Sequence, residues 1–340
     1  MTIVKHLIAD TFGSHVGKYS ERLKVTQKGE TLTQAPLLHL EAVSILNMGV
    51  SISADALEAC CERGIPVFFV NSTGTPYASV YSAGLVGTVI TRREQLRAFD
   101  DWRGIHLGLA FATGKIQNQA ITLKYLAKNR SDTPEGDELR LYAAEVMDHI
   151  AWLERLQGNT VDEIRPQLLA AEGNAAKVYW QAVGRYVLPE SYEWQGREGR
   201  GALDPINSLL NYGYGILYSQ VERVLVLAGL DPYAGFIHVD RPGKPSLVLD
   251  LIEEFLQVAV DRVVFGLAAR HFTVEQDEKG RLSEETRRQF ATHILDHLES
   301  NVRYNGQRYP LCQVMQMQAR QIASFVRGME EAYQPFKAEW

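Results

Sequence analysis

Glu172 stands in a stripe of helical spacing that is otherwise apolar, with Leu168, Leu169, Ala175 and Ala176 three and four residues away and Tyr179 one turn further along. A carboxylate in that setting loses hydration, at a cost of several kcal/mol unless a cation or hydrogen-bond donors compensate it. The plainer reading is a partly buried acid paired with a nearby Arg or Lys; the chemical one is a metal ligand. A second acidic group lies further along. Asp250, Glu253, Glu254, Gln257 and Asp261 fall at spacings of three and four, while Leu251, Ile252, Phe255, Val258 and Ala259 cover much of the remaining circumference. That pattern predicts a largely buried helix with one polar seam, against the plainer alternative of a solvated stripe. His238 precedes this helix in DPYAGFIHVDRPGKP, a loop rich in Pro and Gly. Alone it reads as a hydrogen-bonded structural histidine. A loop that delivers an imidazole near a helix carrying carboxylates, with an isolated carboxylate on another helix, gives a mixed nitrogen and oxygen set suited to Mn²⁺ or Mg²⁺. Three such ligands leave positions open for water and substrate oxygens.

The elements that must position these residues divide along the chain. Over the first 88 residues short apolar runs (HLIAD, RLKVT, EAVSIL, IPVFFV and YASVYS) alternate with turn residues, which predicts strands. One helix interrupts them, ADALEACCER, with Ser53 at the N-cap and Gly64 at the left-handed position after it. From about Thr91 the period becomes helical in REQLRAFDDW, GKIQNQAITLKYLAKN and ELRLYAAEVMDHIAWLERL. Asp204 and Pro205 open a helix that ends at Gly229, and another begins near Ser246. The expected class is α+β: a strand-rich N-terminal domain over 1–88 and a mainly helical domain over 89–340, with the junction between Gly84 and Ile90.

The 340 residues, 46% hydrophobic and 22% charged, have a globular composition. MTIVKHLIADTFG lacks the basic and apolar regions of a secretory signal, and no apolar run approaches membrane-spanning length. A cytoplasmic protein without a membrane association is expected. Cys60 and Cys61 are adjacent and Cys312 is distant, so neither a disulfide framework nor a CxxC zinc site is available. Any metal must be held by carboxylates, histidine or water. The formal charge of −6 argues mildly against a nucleic-acid partner. Basic residues nevertheless cluster at Arg92, Arg93 and Arg97, at Lys177 and Arg185, at Arg262 and Arg270, and at Arg320 and Arg327, and one basic face can coexist with acidic ones.

The segment DPINSLLNYGYGILYSQVERVLVLAGLDPYAGFIHVDRPGKPSLVLDLIEEF resembles the central motif of the CRISPR-associated Cas1 family, the integrases of spacer acquisition. Further resemblance lies in VSISADALEACCERGIPVFFVNSTGTPYA, in GKIQNQ and in AAEGNAAKVYW, so that together the matches cover most of the chain. The resemblance implies that Glu172, His238 and Glu253 bind the metal, and that Asp250, the first acid of DLIE, has a supporting catalytic role. One departure is visible: family members often continue this helix with Arg-Pro, where Leu256 and Gln257 stand here. That puts an arginine contact in doubt and leaves the ligands intact.

The same resemblance implies a homodimer, two of which clamp a dimer of the small companion protein Cas2. It also implies double-stranded spacer and repeat DNA as substrates, with a 3′-hydroxyl attacking a phosphodiester at the repeat boundary. Two alternatives are a related metal-dependent nuclease for branched DNA in repair and a metal-free structural DNA-binding subunit. Dependence on a companion protein and preference for repeat DNA separate the first, and stoichiometric Mn²⁺ binding separates the second.

Overall fold

A computed structural model describes residues 4–71, 76–81, 89–199 and 201–340. Two compact units form: one takes Met1–Val86 with Arg200–Ser219 and Thr273–Leu295, the other Gly87–Gly199 with Gln220–Phe272 and Asp296–Trp340. The junction expected between Gly84 and Ile90 lies largely outside the described residues. The α+β class is as the periodicity predicts, strand-rich first and mainly helical after.

In the first unit the strands are His6–Ala9 (β1), His15–Tyr19 (β2), Arg22–Gln27 (β3), Glu30–Pro36 (β4), Ala42–Ile45 (β5), Ser51–Ile52 (β6), Val67–Val70 (β7) and Pro76–Val80 (β8), with helix α1 at Ala54–Glu62. They make two four-stranded sheets, ordered β4-β3-β2-β6 and β1-β5-β7-β8. Lys28 and Gly29 both have positive φ (50° and 89°), the geometry of the tight turn that joins β3 to β4. Sequence reading misses β2 and β4. β4 is an edge strand of mostly exposed polar residues, so it shows no apolar alternation.

Helix α1 ends as its sequence requires. Gly64 has φ 66°, and the Gly64 and Ile65 N–H groups donate back to Cys61 and Cys60 at 3.1 and 2.8 Å. Its start differs from expectation: Ser53 is extended, but its hydroxyl donates to Val16 O at 3.4 Å instead of capping. Val16 and Leu23 from one sheet, Val43 and Val67 from the other, and Ala59 and Cys60 from α1 form one continuous core.

The helices that follow are α2 (Val89–Ala98), α3 (Trp102–Lys128), α4 (Pro134–Asp148), α5 (Ile150–Leu153), α6 (Val161–Tyr186), α7 (Pro205–Leu227), α8 (Ser246–Ile252), α9 (Arg262–Ala269), α10 (Glu284–Leu298) and α11 (Leu311–Val326), with a hairpin of β9 (Asn301–Tyr304) and β10 (Gln307–Pro310) before α11. REQLRAFDDW is not one helix. Asp101 is extended and accepts from Arg103 N at 2.8 Å, which ends α2 and caps α3. Helix α3, with Leu107, Phe111, Ile116 and Leu123 buried, packs on both α4 and α6. A Cβ at Gly108 would sit 3.1 Å from Val161 Cγ2, so glycine allows α3 and α6 to close. No helix among the described residues is long and apolar enough to cross a membrane.

The helix expected from Ser246 onward is interrupted. It runs as α8 to Ile252, tightens so that Glu254 N and Phe255 N donate to Leu251 and Ile252 at 3.3 and 2.9 Å, and widens into a π-helical turn at Gln257–Asp261 before α9. The cause lies on α3. Asn118 Nδ2 donates to Glu254 O at 2.8 Å, taking a carbonyl that a regular helix would use itself. The same amide donates to Phe336 O at 2.9 Å, and its oxygen accepts from Ala338 N at 2.9 Å. One buried side chain therefore fixes both the break and the course of the C-terminal segment.

Removing it by Asn118→Ala leaves three buried backbone groups unpaired and is expected to destabilise the full chain by about 2–4 kcal/mol. Urea unfolding checks this, and an unchanged midpoint would show that Asn118 does not hold the break.

Candidate metal centre

Asp250, fully buried on α8, collects the loop that carries His238. Its Oδ2 accepts from the Phe236 and Ile237 amides at 2.5 and 3.1 Å, and its Oδ1 accepts from His238 N at 3.0 Å and pairs with His238 Nδ1 at 2.8 Å. Four contacts to one carboxylate satisfy its charge without a metal. Gly235 makes the approach possible, since a Cβ there would lie 2.6 Å from Ser246 and 2.8 Å from Asp250 Oδ2. Two further side chains anchor the loop: buried Gln95 on α2 donates to Asp231 O and Ala234 O at 2.9 and 2.7 Å, and Arg165 on α6 donates to Phe236 O at 3.0 Å. Burial pushes the imidazole pKa down, but the Asp250 hydrogen bond and the charges of Asp250 and Glu253 outweigh it and hold His238 above the ordinary histidine range. With Nδ1 engaged, Nε2 is the nitrogen left for a ligand or proton.

Glu172 and Glu253 meet through a residue that the spacing arguments did not select. Lys115 Nζ on α3 lies 2.5 Å from Glu172 Oε1 and 2.7 Å from Glu253 Oε2. The plainer reading of Glu172, an acid paired with a lysine, thus describes one of its oxygens. The other, Oε2, is buried without a hydrogen-bond partner. Burial and the neighbouring Glu172 charge raise the Glu253 pKa despite the opposing pull of Lys115. Burial lowers the Lys115 pKa, but the charges of Glu253 and Glu172 outweigh it and raise the ammonium above its ordinary value.

The other acids of the predicted seam do not share one face. Asp250 serves the loop, Glu253 faces Lys115, and Asp261 Oδ2 accepts from Tyr179 Oη of α6 at 2.8 Å. Glu254, fully buried, accepts from Tyr333 Oη, Phe336 N and Gln318 Nε2 at 2.7, 2.8 and 3.3 Å. Adjacent glutamates, about 100° apart around a helix axis, thus meet different partners. Of the basic clusters, Arg92, Arg93, Lys177, Arg185, Arg270 and Arg320 are exposed, whereas Arg262 is stacked on Tyr125 and Trp340, 4.5 and 4.0 Å from the ring centres.

Two carboxylates and an imidazole suit a hard or borderline divalent ion, and the partnerless Glu172 Oε2 is the kind of buried oxygen that such an ion satisfies. The three candidate ligand atoms are nevertheless not gathered within 4.8 Å of one another. Ligands about 2.1 Å from an ion lie no more than about 4.2 Å apart, so the set has to contract to coordinate one. Sequence reasoning missed Lys115 and Asn118 as site residues, although both stand in GKIQNQ, one helical turn apart on α3.

A family model described as "CRISPR associated protein Cas1" matches residues 7–296. A relative from Archaeoglobus fulgidus named "CRISPR-associated endonuclease Cas1 1" is 37% identical over 347 residues, covering 98% of this chain and 99% of its own. Among solved structures, a casposase bound to integration product superposes with a TM-score of 0.80 at 19% identity, covering 97% of this chain and 93% of that one. A Cas6-RT-Cas1–Cas2 complex gives 0.78 at 22% identity, covering 99% of this chain and 37% of that one. These two likenesses show a shared fold.

Burial raises the Glu254 pKa from 4.5 to about 8. Between those values the folded chain keeps a proton that the unfolded chain has lost, so stability falls as pH rises through that window. Glutamine can still accept from Phe336 N and donate to Tyr333 Oη, so Glu254→Gln is expected to flatten this part of the curve of unfolding free energy against pH. An unchanged slope would mean that Glu254 is ionised in the native state.

Proposed function

We propose, from the premise that this chain belongs to the CRISPR-associated Cas1 family, that it is a metal-dependent DNA endonuclease and integrase that inserts spacer DNA into a CRISPR array. The observation that carries this reading is the convergence of Glu172 and Glu253, from separate helical segments, on one cationic position, with a buried Glu172 oxygen left unsatisfied. His238, fixed through Nδ1 by Asp250, supplies the third ligand atom, Nε2. The names of the relatives support the same activity: the Archaeoglobus fulgidus protein is called an endonuclease, and the casposase was captured on its integration product.

Glu172, His238 and Glu253 would hold Mg²⁺ or Mn²⁺, which when bound withdraws charge from the reacting phosphate and stabilises the attacking and leaving oxygens. Asp250 acts one step further out. By holding the Phe236, Ile237 and His238 amides and the imidazole Nδ1, it fixes which nitrogen is offered and in what direction. In the proposed reaction a spacer 3′-hydroxyl attacks a phosphodiester at the repeat boundary, one ester forms as one breaks, and a strand end leaves. Water in place of that hydroxyl gives cleavage, so one centre serves both activities.

The partners we propose are double-stranded spacer and repeat DNA, a second copy of this chain, and Cas2, which is named in the complex one of whose chains has, over 37% of its length, the fold of this one. Residues 1–88 form the proposed dimerisation domain and 89–340 the catalytic one, in the cytoplasm. Exposed Phe12 and Met48 in the first segment are apolar surface that an interface between copies would cover.

Glu172→Ala, His238→Ala and Glu253→Ala are each expected to abolish strand transfer of labelled spacer DNA while leaving DNA affinity within a few-fold, because affinity comes mainly from phosphate contacts elsewhere. Asp250→Ala should be partly recovered at high Mn²⁺, and Glu278→Ala, an exposed control, should stay active. Full activity in Glu172→Ala or Glu253→Ala would place the centre elsewhere. Binding to splayed-end DNA should weaken steeply with salt, as counterion release requires; salt-insensitive binding would contradict a basic face. Light scattering should find a dimer at micromolar concentration, and a monomer would overturn the proposed assembly.

A further inference from the structure

We infer that Lys115 is the protein's own occupant of the cation position between Glu172 and Glu253, and that a divalent ion enters only by displacing it. The inference rests on the reading of those two acids as metal ligands. A single ammonium nitrogen lies 2.5 Å from Glu172 Oε1 and 2.7 Å from Glu253 Oε2, so it bridges acids from two segments as a bound ion would. The three side chains are only 12%, 11% and 12% exposed, so little solvent screens them from one another.

An ammonium and a divalent ion a few ångströms apart in so dry a pocket repel strongly. The ligand atoms must also come closer together than they now stand, and the lysine head occupies the gap into which they would close. A lysine can leave where an arginine fork could not. Its flexible four-carbon stem carries a compact charge that can withdraw toward solvent while the stem stays packed.

Two consequences follow from this arrangement. With Lys115 in place the repulsion between the two acids is offset by the ammonium they share, so the helical unit keeps its packing without metal. A monovalent cation offers the acids nothing that the tethered ammonium does not already supply, whereas a divalent ion offers twice the charge. Lys115 therefore sets a threshold on metal entry and favours divalent over monovalent ions.

Calorimetric titration of the full chain with Mn²⁺ alone, beside thermal unfolding in chelator and in saturating Mn²⁺, tests the inference on Lys115→Met and Lys115→Gln. Both variants should melt below the wild type in chelator and recover in Mn²⁺. Both should bind Mn²⁺ at least about tenfold more tightly than the wild type, since removing one nearby like charge is worth that much even at high effective dielectric. If wild-type binding is stoichiometric and lost in Glu172→Gln, yet the lysine variants bind no more tightly or more weakly, Lys115 is a fixed orienting group and the displacement is wrong. If neither neutral variant folds even with Mn²⁺ present, the ion does not take the place of the ammonium, and the inference falls again. Absence of stoichiometric binding in the wild type and in both variants would instead overturn the metal-ligand reading itself.

Discussion

Each carboxylate buried between residues 250 and 261 has to find a donor or a cation, because an uncompensated charge in the helical interior costs several kcal/mol. Meeting that need fixes the positions of four otherwise separate pieces of chain. Asp250 gathers the loop at 235–238, Glu253 draws Lys115 and through it Glu172, Glu254 takes the segment at 333–336, and Asp261 takes Tyr179. The apolar core gives these elements their contact area, and the acids tie them together at single, directed contacts.

The same constraint ties stability to chemistry. Asp250 and Asp261 are paired with donors in a way that asks for nothing further, and Glu254, whose pKa burial raises to about 8, has three donors of its own. Glu172 and Glu253 differ. They share one ammonium, one Glu172 oxygen has no hydrogen-bond partner, and Glu253 is disfavoured as an anion by its burial and by its neighbour. A pair left in that state is suited to a ligand of higher charge, and an incompletely satisfied polar group is where a binding site can be expected.

What was legible in the sequence was local. The ends of α1 and α7 follow from Gly64, from Asp204 accepting at Asn207 N at 2.9 Å, and from Gly229 at φ 80°, because capping involves residues a few positions apart. The family motif pointed to Glu172, His238 and Glu253 and to Asp250, but the contacts by which Asp250 holds the loop of His238 could not be read from it. The helix break was not legible, because its cause, Asn118, is 136 residues distant in sequence from Glu254. Lys115 escaped for a similar reason. A lysine on a helix looks solvated until the acid 57 residues further on is known to lie beside it.

The central claim is that Glu172, His238 and Glu253 hold one divalent ion. Diffraction from crystals soaked in Mn²⁺, with data collected at the manganese absorption edge, tests it most directly. The account predicts an anomalous peak within about 2.3 Å of His238 Nε2 and of one oxygen each from Glu172 and Glu253. A peak held by other residues, or none in this pocket at saturating Mn²⁺, would contradict it.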